Sequence, residues 1–383
     1  MFKSIAKKFH EWRGEGVKKE SSFMMILLVI MVAIGPFFFL PVAGMSVVAS
    51  KGYFFVIIGL ILLLAYAISA LRYGEIRISK NWIFKILGFI LVSELLGVFL
   101  APAFGVSMLG KGFETTSWLF LLVFTVIVLV AYRTIRSYER VGIILAGAIG
   151  GIMLTVVFQL IRFFVGGSAL SLGVLTSGTT SLFGSWVDFG AVLAFIVMFC
   201  VITLELGSFK RGIRTIVLLG GLLALIMLAF MNIRTIWIVL GFVSLITTLY
   251  IFTFAFWDTE MKMYRKNRNI PWYSLIVVIL SIVCIFFGNA LNSIASRHQF
   301  ITANDVRLSI PTTARVGLQS IVHNPATGYG PNTFSSAWNM SKPPAVAGTN
   351  FAGTEFSYGS GYFPTQMATN GIWVLWDGEH YSS

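Results

Sequence analysis

Between residues 307 and 334 the chain reads RLSIPTTARVGLQSIVHNPATGYGPNTF, a polar, loop-like stretch in a sequence otherwise built of apolar runs. Arg307 and Arg315 are followed by an apolar run that predicts a short helix, and then by Asn324-Pro325, Gly328 and Gly330. A guanidinium stays charged and presents a planar fork that pairs bidentately with phosphate or carboxylate, so the chemistry on offer is anion recognition. Pro325 fixes φ, while Gly328 and Gly330 permit positive φ or close backbone approach; with Asn324 they read as loop-shaping residues. His323 is a candidate base, although a histidine beside a turn also fits a structural role.

The elements that must position these residues belong to a membrane. The chain is 57% hydrophobic, 15% aromatic and only 11% charged, with a mean hydropathy of +0.86, and several apolar runs reach the roughly 20 residues that cross a bilayer. This is the pattern of an all-α polytopic membrane protein. Spans are predicted over about 22–48, 52–71, 82–103, 116–132, 141–164, 187–206, 214–231, 235–256 and 272–290, with a tenth beginning near 363. The tenth gives way to polar residues after GIWVLW, so the reading expects an incomplete last helix and a chain that is a fragment. Pro36 and Pro41 predict a kink inside the first span. The organisation is therefore a basic cytoplasmic segment 1–21, a nine-helix bundle 22–290, a large extracytoplasmic loop 291–362, and the start of a tenth helix over 363–383.

The net charge of +13 does not indicate nucleic acid, because the basic residues cluster between apolar runs, where they orient helices and meet anionic lipid. With the N-terminus in the cytoplasm, all but eight of the 28 basic residues fall on the inner side. The eight are Lys51, Lys111, Arg162, Arg234, Arg297, Arg307, Arg315 and Lys342. This alternation places the 291–362 loop outside. Residues 1–20 set Phe2, Ile5, Phe9 and Trp12 at helical spacing, which fits an amphipathic segment on the cytoplasmic surface or a polybasic start that only fixes orientation.

Charge alternation makes the outer arginines conspicuous. Arg162 closes the fifth span, Arg234 sits in the tight turn between the seventh and eighth, and Arg297, Arg307 and Arg315 lie in the large loop, so five guanidiniums are available to one outer vestibule. The alternative for Arg162 and Arg234 is snorkelling to headgroups. The connection 165–187, rich in Gly, Ser and Thr, reads either as a re-entrant loop that touches sugar hydroxyls or as a plain linker. Among the carboxylates Glu94, Glu114, Asp188 and Glu205, only Glu94 lies well inside a span, where an acid is a functional candidate. Cys200 and Cys284 lack metal-ligand spacing and read as small buried hydrophobes; no metal site is expected.

Nine spans, an Arg in the turn before the eighth, and a large outer loop carrying Arg315, a short helix and N-P-x-x-G-x-G-x-N-x-F over 324–334 together resemble the O-antigen ligase and polymerase-like superfamily (the Wzy-C type) of GT-C-like membrane glycosyltransferases. The local match covers Arg315 to Phe334 and the layout match most of the chain. The resemblance implies an enzyme of the cytoplasmic (inner) membrane that transfers or polymerises a glycan from a polyprenyl-diphosphate-linked donor to a glycan or lipid acceptor at the extracytoplasmic face, without metal, nucleotide sugar or other cofactor. Residue matching assigns the diphosphate to Arg234 and Arg315, with Arg162 and Arg307 as further cations. Preorganised cations would stabilise the charge that develops on the leaving diphosphate.

The chain departs from the ligase pattern where a His-Asn pair is expected eleven residues before Gly371, because Ser360-Gly361 stand there. Glu355 is the nearest chemical base, with Tyr358 and Ser360 beside it. The competing reading is a secondary transporter or flippase for an anionic or lipid-linked substrate, drawn from Glu94, the kinked first span and the basic vestibule; a third is a membrane scaffold. No repeat relates the two halves, as many transporters would show.

Overall fold

Each of the nine apolar runs contains a helix in the computed structural model, which describes residues 22–42, 45–73, 81–110, 114–165, 170–175, 181–184, 186–207, 209–253, 270–297, 308–325, 327–342, 353, 356 and 358–371. In chain order the helices are α1 Ser22–Ile34, α2 Val47–Tyr73, α3 Trp82–Leu100, α4 Phe104–Leu109, α5 Trp118–Thr134, α6 Tyr138–Val165, α7 Trp186–Leu206, α8 Arg211–Met231, α9 Arg234–Thr253, α10 Trp272–Arg297, α11 Ile310–His323, α12 Phe334–Met340 and α13 Tyr362–Asn370. Six of them, α2, α3 and α6 to α9, are long and apolar enough to cross a membrane; α1, α5 and the described part of α10 are shorter apolar helices. The described residues contain no strand beyond one isolated bridge, Ser181 with Gly184. The described residues are all-helical, and their long apolar helices are those of an integral membrane protein by length and composition.

The first run does not form one kinked helix. Pro36 lacks an N–H and its ring collides with the carbonyl four residues back, so α1 stops at Ile34 and a turn follows. Gly35 N–H still reaches Met31 O at 3.0 Å, and Phe37 and Phe38 N–H both turn back to Ile34 O. The carbonyl of Pro36 accepts from Lys51 Nζ of α2, at 2.5 Å, so this basic residue helps to satisfy a broken helix end.

The helices fall into two compact units, residues 1–38, 48–147 and 306–383 in one and 39–47 and 148–305 in the other. In the first unit α1, α2 and α5 share a core of Met24, Leu28, Met31, Val56, Leu62, Val123, Ile127 and Val130. A Cβ at Gly59 would lie 2.6 Å from Val123 Cγ1, so the absence of a side chain at Gly59 leaves the space that Val123 of α5 fills. Trp118 Nε1 donates to Leu91 O at 2.9 Å and ties α5 to α3.

In the second unit α7 is central. Phe189, Leu193 and Ile196 on it are fully buried, and α8, α9 and α10 supply Met227, Trp237 and Val277 to the same core. Cys200 and Cys284 are buried in it as free thiols. Glu205, near the end of α7, accepts the Tyr273 N–H at 2.7 Å and so caps the first turn of α10. The Tyr273 hydroxyl accepts from Arg214 Nη2 at 3.1 Å, which gathers Glu205, Arg214 and Tyr273 at one end of this unit.

Candidate functional site

α11 starts five residues before Arg315, not after it as the apolar run suggests. The reason is a local start signal: Ser309 is the N-cap, its side chain accepting from Thr312 N–H at 3.3 Å, and Pro311 occupies the first turn, where its missing N–H costs nothing. The helix is strongly two-faced. Thr313, Val316, Gly317 and Ser320 are buried, whereas Pro311, Arg315, Leu318, Gln319 and Val322 are exposed along the opposite stripe. Arg315 therefore stands on an open face next to Leu318, 56% exposed, and Val322, 79% exposed. His323 is exposed at the end of the helix.

The buried face packs on α13. Ser320 Oγ donates to Ala368 O at 2.6 Å, and a Cβ on Gly317 would fall 2.9 Å from Pro364 O. The turn after α11 completes the join: Tyr329 N–H donates to Ala368 O at 3.2 Å and Gly330 N–H to Thr369 O at 2.7 Å. Gly328 and Gly330 have φ +57 and +95, and Cβ atoms there would lie 2.7 Å from Thr369 carbonyl carbon and 2.5 Å from Ala101 Cβ. Asn324 is the C-cap of α11, its N–H bonded to Ser320 O, and its carbonyl accepts the Gly328 N–H at 3.0 Å, which closes the turn through Pro325. The helix that begins near 363 is short; α13 ends at Asn370, ahead of the apolar run 372–376, which lies outside the described residues.

Two carboxylates meet this segment. Asn332 Nδ2 donates to Glu114 Oε2, and Asn332 Oδ1 accepts from Thr116 Oγ1 at 2.5 Å. Asn370 Nδ2 donates to Glu94 Oε1 at 2.5 Å and to Gln366 Oε1 at 2.8 Å. Glu94 thus has a polar partner from a helix 276 positions away. The pairings Glu94 with Asn370 and Glu114 with Asn332 carry no sequence signal beyond Glu94 being an acid in an apolar run. Ser360, at the position where a histidine would be expected, is engaged at the start of α11: its N–H donates to Thr313 Oγ1 at 2.9 Å and its hydroxyl to Leu308 O just before the helix. Glu355 and Arg307 lie outside the described residues.

The second unit holds the other two sequence candidates. Arg234 opens α9 and is exposed. The turn before it is set by Asn232, which caps α8 in the left-handed conformation, φ 42, and donates from Nδ2 to Gly288 O at 2.6 Å. A Cβ on Gly288 would lie 3.1 Å from the Asn232 amide, so a larger residue there would crowd this contact. Arg162 differs: it is 2% exposed, and Nη2 donates to Leu175 O at 3.0 Å with Nη1 3.4 Å from Gln159 Oε1. Leu175 is itself fully buried with Val47 and Leu182. Snorkelling does not describe Arg162, because its charge is turned inward to bind a carbonyl of the 170–175 connection. Compared with known proteins, the chain matches no family model, no curated protein and no solved structure.

Proposed function

We propose that this protein is a GT-C-like membrane glycosyltransferase that moves a glycan from a polyprenyl-diphosphate carrier to a glycan or lipid acceptor at the extracytoplasmic face of the cytoplasmic membrane, in the manner of O-antigen ligases and polymerases. The observation that carries the reading is the open face of α11, where Arg315 stands three residues from Leu318 and seven from Val322, all exposed. A cation flanked by uncovered apolar side chains suits a ligand with an anionic head and a hydrocarbon tail. Arg234 supports it as a second exposed guanidinium, at the N-terminus of α9, where the helix dipole adds to its affinity for phosphate.

In this mechanism Arg315 binds the diphosphate and stabilises the charge it gains as the acceptor oxygen displaces it from the anomeric carbon, and Glu355 accepts the proton of the acceptor hydroxyl; Arg234 is the candidate phosphate-binding cation of the second unit. Arg307 adds charge from the same stretch. Arg162 is assigned a supporting role, holding the 170–175 connection, because its guanidinium already faces a carbonyl. The transporter reading rests on Glu94, whose carboxylate accepts from Asn370.

Arg315→Ala and Arg234→Ala, assayed in membranes with the lipid-linked donor, should each lower transfer by about 100-fold while donor accumulates and protein level holds. Unchanged product with both substitutions would overturn the assignment. Loss of substrate flipping in Glu94→Gln with glycan output intact would favour the transporter.

A further inference from the structure

The segment that carries Arg315 makes its own small core. Leu308, Val316, Tyr329, Phe334, Ala337, Trp338 and Ala368 are buried against one another, and all of them belong to residues 308–368. Contact with the membrane helices of the same unit is made by other groups. Pro331 packs on Gly97 of α3, Gly330 lies against Ala101, Asn332 also accepts from Thr116 Oγ1 and donates to Val106 O at 3.4 Å, and two amide–carboxylate pairs, Asn370 with Glu94 and Asn332 with Glu114, add charge-assisted ties.

From these contacts we propose that Glu94 and Glu114 form a two-point clasp that holds the 308–371 segment on α3 and on the connection before α5, and that they are positioning residues for Arg315. The coupling path is short. Glu94 holds Asn370, the last residue of α13; Ala368, two residues earlier, receives the Ser320 hydroxyl; and Ser320 is five residues along α11 from Arg315. An amide donating to a carboxylate is a charge-assisted bond with fixed direction, so each pair sets both distance and orientation. The inference rests on the proposed glycan transfer only for the importance of Arg315; the clasp itself does not depend on it.

A clasp and a proton relay respond differently to substitution. Gln at 94 can still accept from Asn370 Nδ2, but it cannot carry a proton in and out.

The test uses the full chain in membranes, with Cys200→Ala and Cys284→Ala as background and Gly97→Cys with Pro331→Cys as reporters. A Cβ at 97 lies 3.4 Å from the Pro331 ring, so oxidative cross-linking reads docking directly. Glu94→Gln should cross-link within about twofold of the parent, and Glu94→Leu or Asn370→Asp at least about tenfold more slowly, as expected for loss of a charge-assisted bond or for opposed carboxylates. Combining Glu94→Gln with Asn370→Asp restores an amide–carboxylate pair and should recover most of the rate. Parent-like cross-linking in Glu94→Leu and Asn370→Asp would overturn the clasp; so would an impaired exchanged pair. Should Glu94→Leu fail to accumulate, the exchanged pair still decides. In the transfer assay Glu94→Leu should lower kcat and add nothing to Arg315→Ala, and additive losses would overturn the positioning role. A chain that shows the cross-linking pattern but no transfer at all keeps the clasp and sinks the proposed function.

Discussion

Arg162 and Arg315 are the same side chain in two regions that the sequence marks alike, each a basic residue on the side of the chain where such residues are scarce. Their surroundings divide them. Arg162 lies in the last turn of a long apolar helix and is buried, its guanidinium bonded to the carbonyl of Leu175 in a connection whose irregular backbone needs donors. Arg315 sits on a 14-residue amphipathic helix whose other face is filled by α13, which leaves the guanidinium exposed. The difference teaches that an arginine out of place by the charge rule can either satisfy buried backbone or stay exposed, and that burial tells the two apart.

The contrast can be broken by substitution. Arg315→Ala should have the largest effect, a loss of a few kcal/mol in transition-state stabilisation of the proposed transfer, with no change in melting temperature in detergent. A fall in melting temperature would put Arg315 in the same class as Arg162. Arg162→Ala should do the reverse: it leaves Leu175 O buried without its donor and should cost about 1–3 kcal/mol of stability, read as a lower melting temperature. Arg162→Lys sharpens this, because one ammonium on a flexible stem does not reproduce the guanidinium fork, and stability should be only partly regained. Ser320→Ala is the mildest, about 1 kcal/mol, since it removes one hydroxyl bond to Ala368 O while sparing the apolar contacts of α11. Equal stability of Ser320→Ala and parent by thermal melting would show that apolar packing alone seats α11.

Membrane character and the places of the nine apolar helices were legible in the sequence, because a bilayer demands long apolar runs and internally satisfied backbone, and helices meet both demands locally. Where the reading failed, the deciding residues were also local. Pro36 ends α1 where a kink was expected, since no neighbour restores a helix beyond it. Ser309 and Pro311 begin α11 ahead of Arg315, a start signal that the apolar pattern hides.

Sequence by itself determined the class, the helical segments and the short roster of arginines and acids, all of which depend on residue type and spacing. Only the tertiary structure decided what those residues do. It turned Arg162 onto a carbonyl, set Glu205 to cap α10, and joined Glu94 to Asn370 across 276 positions. A hydrogen bond between distant residues leaves no periodicity in the chain, because its partners are brought together by packing that the pattern of apolar runs does not encode.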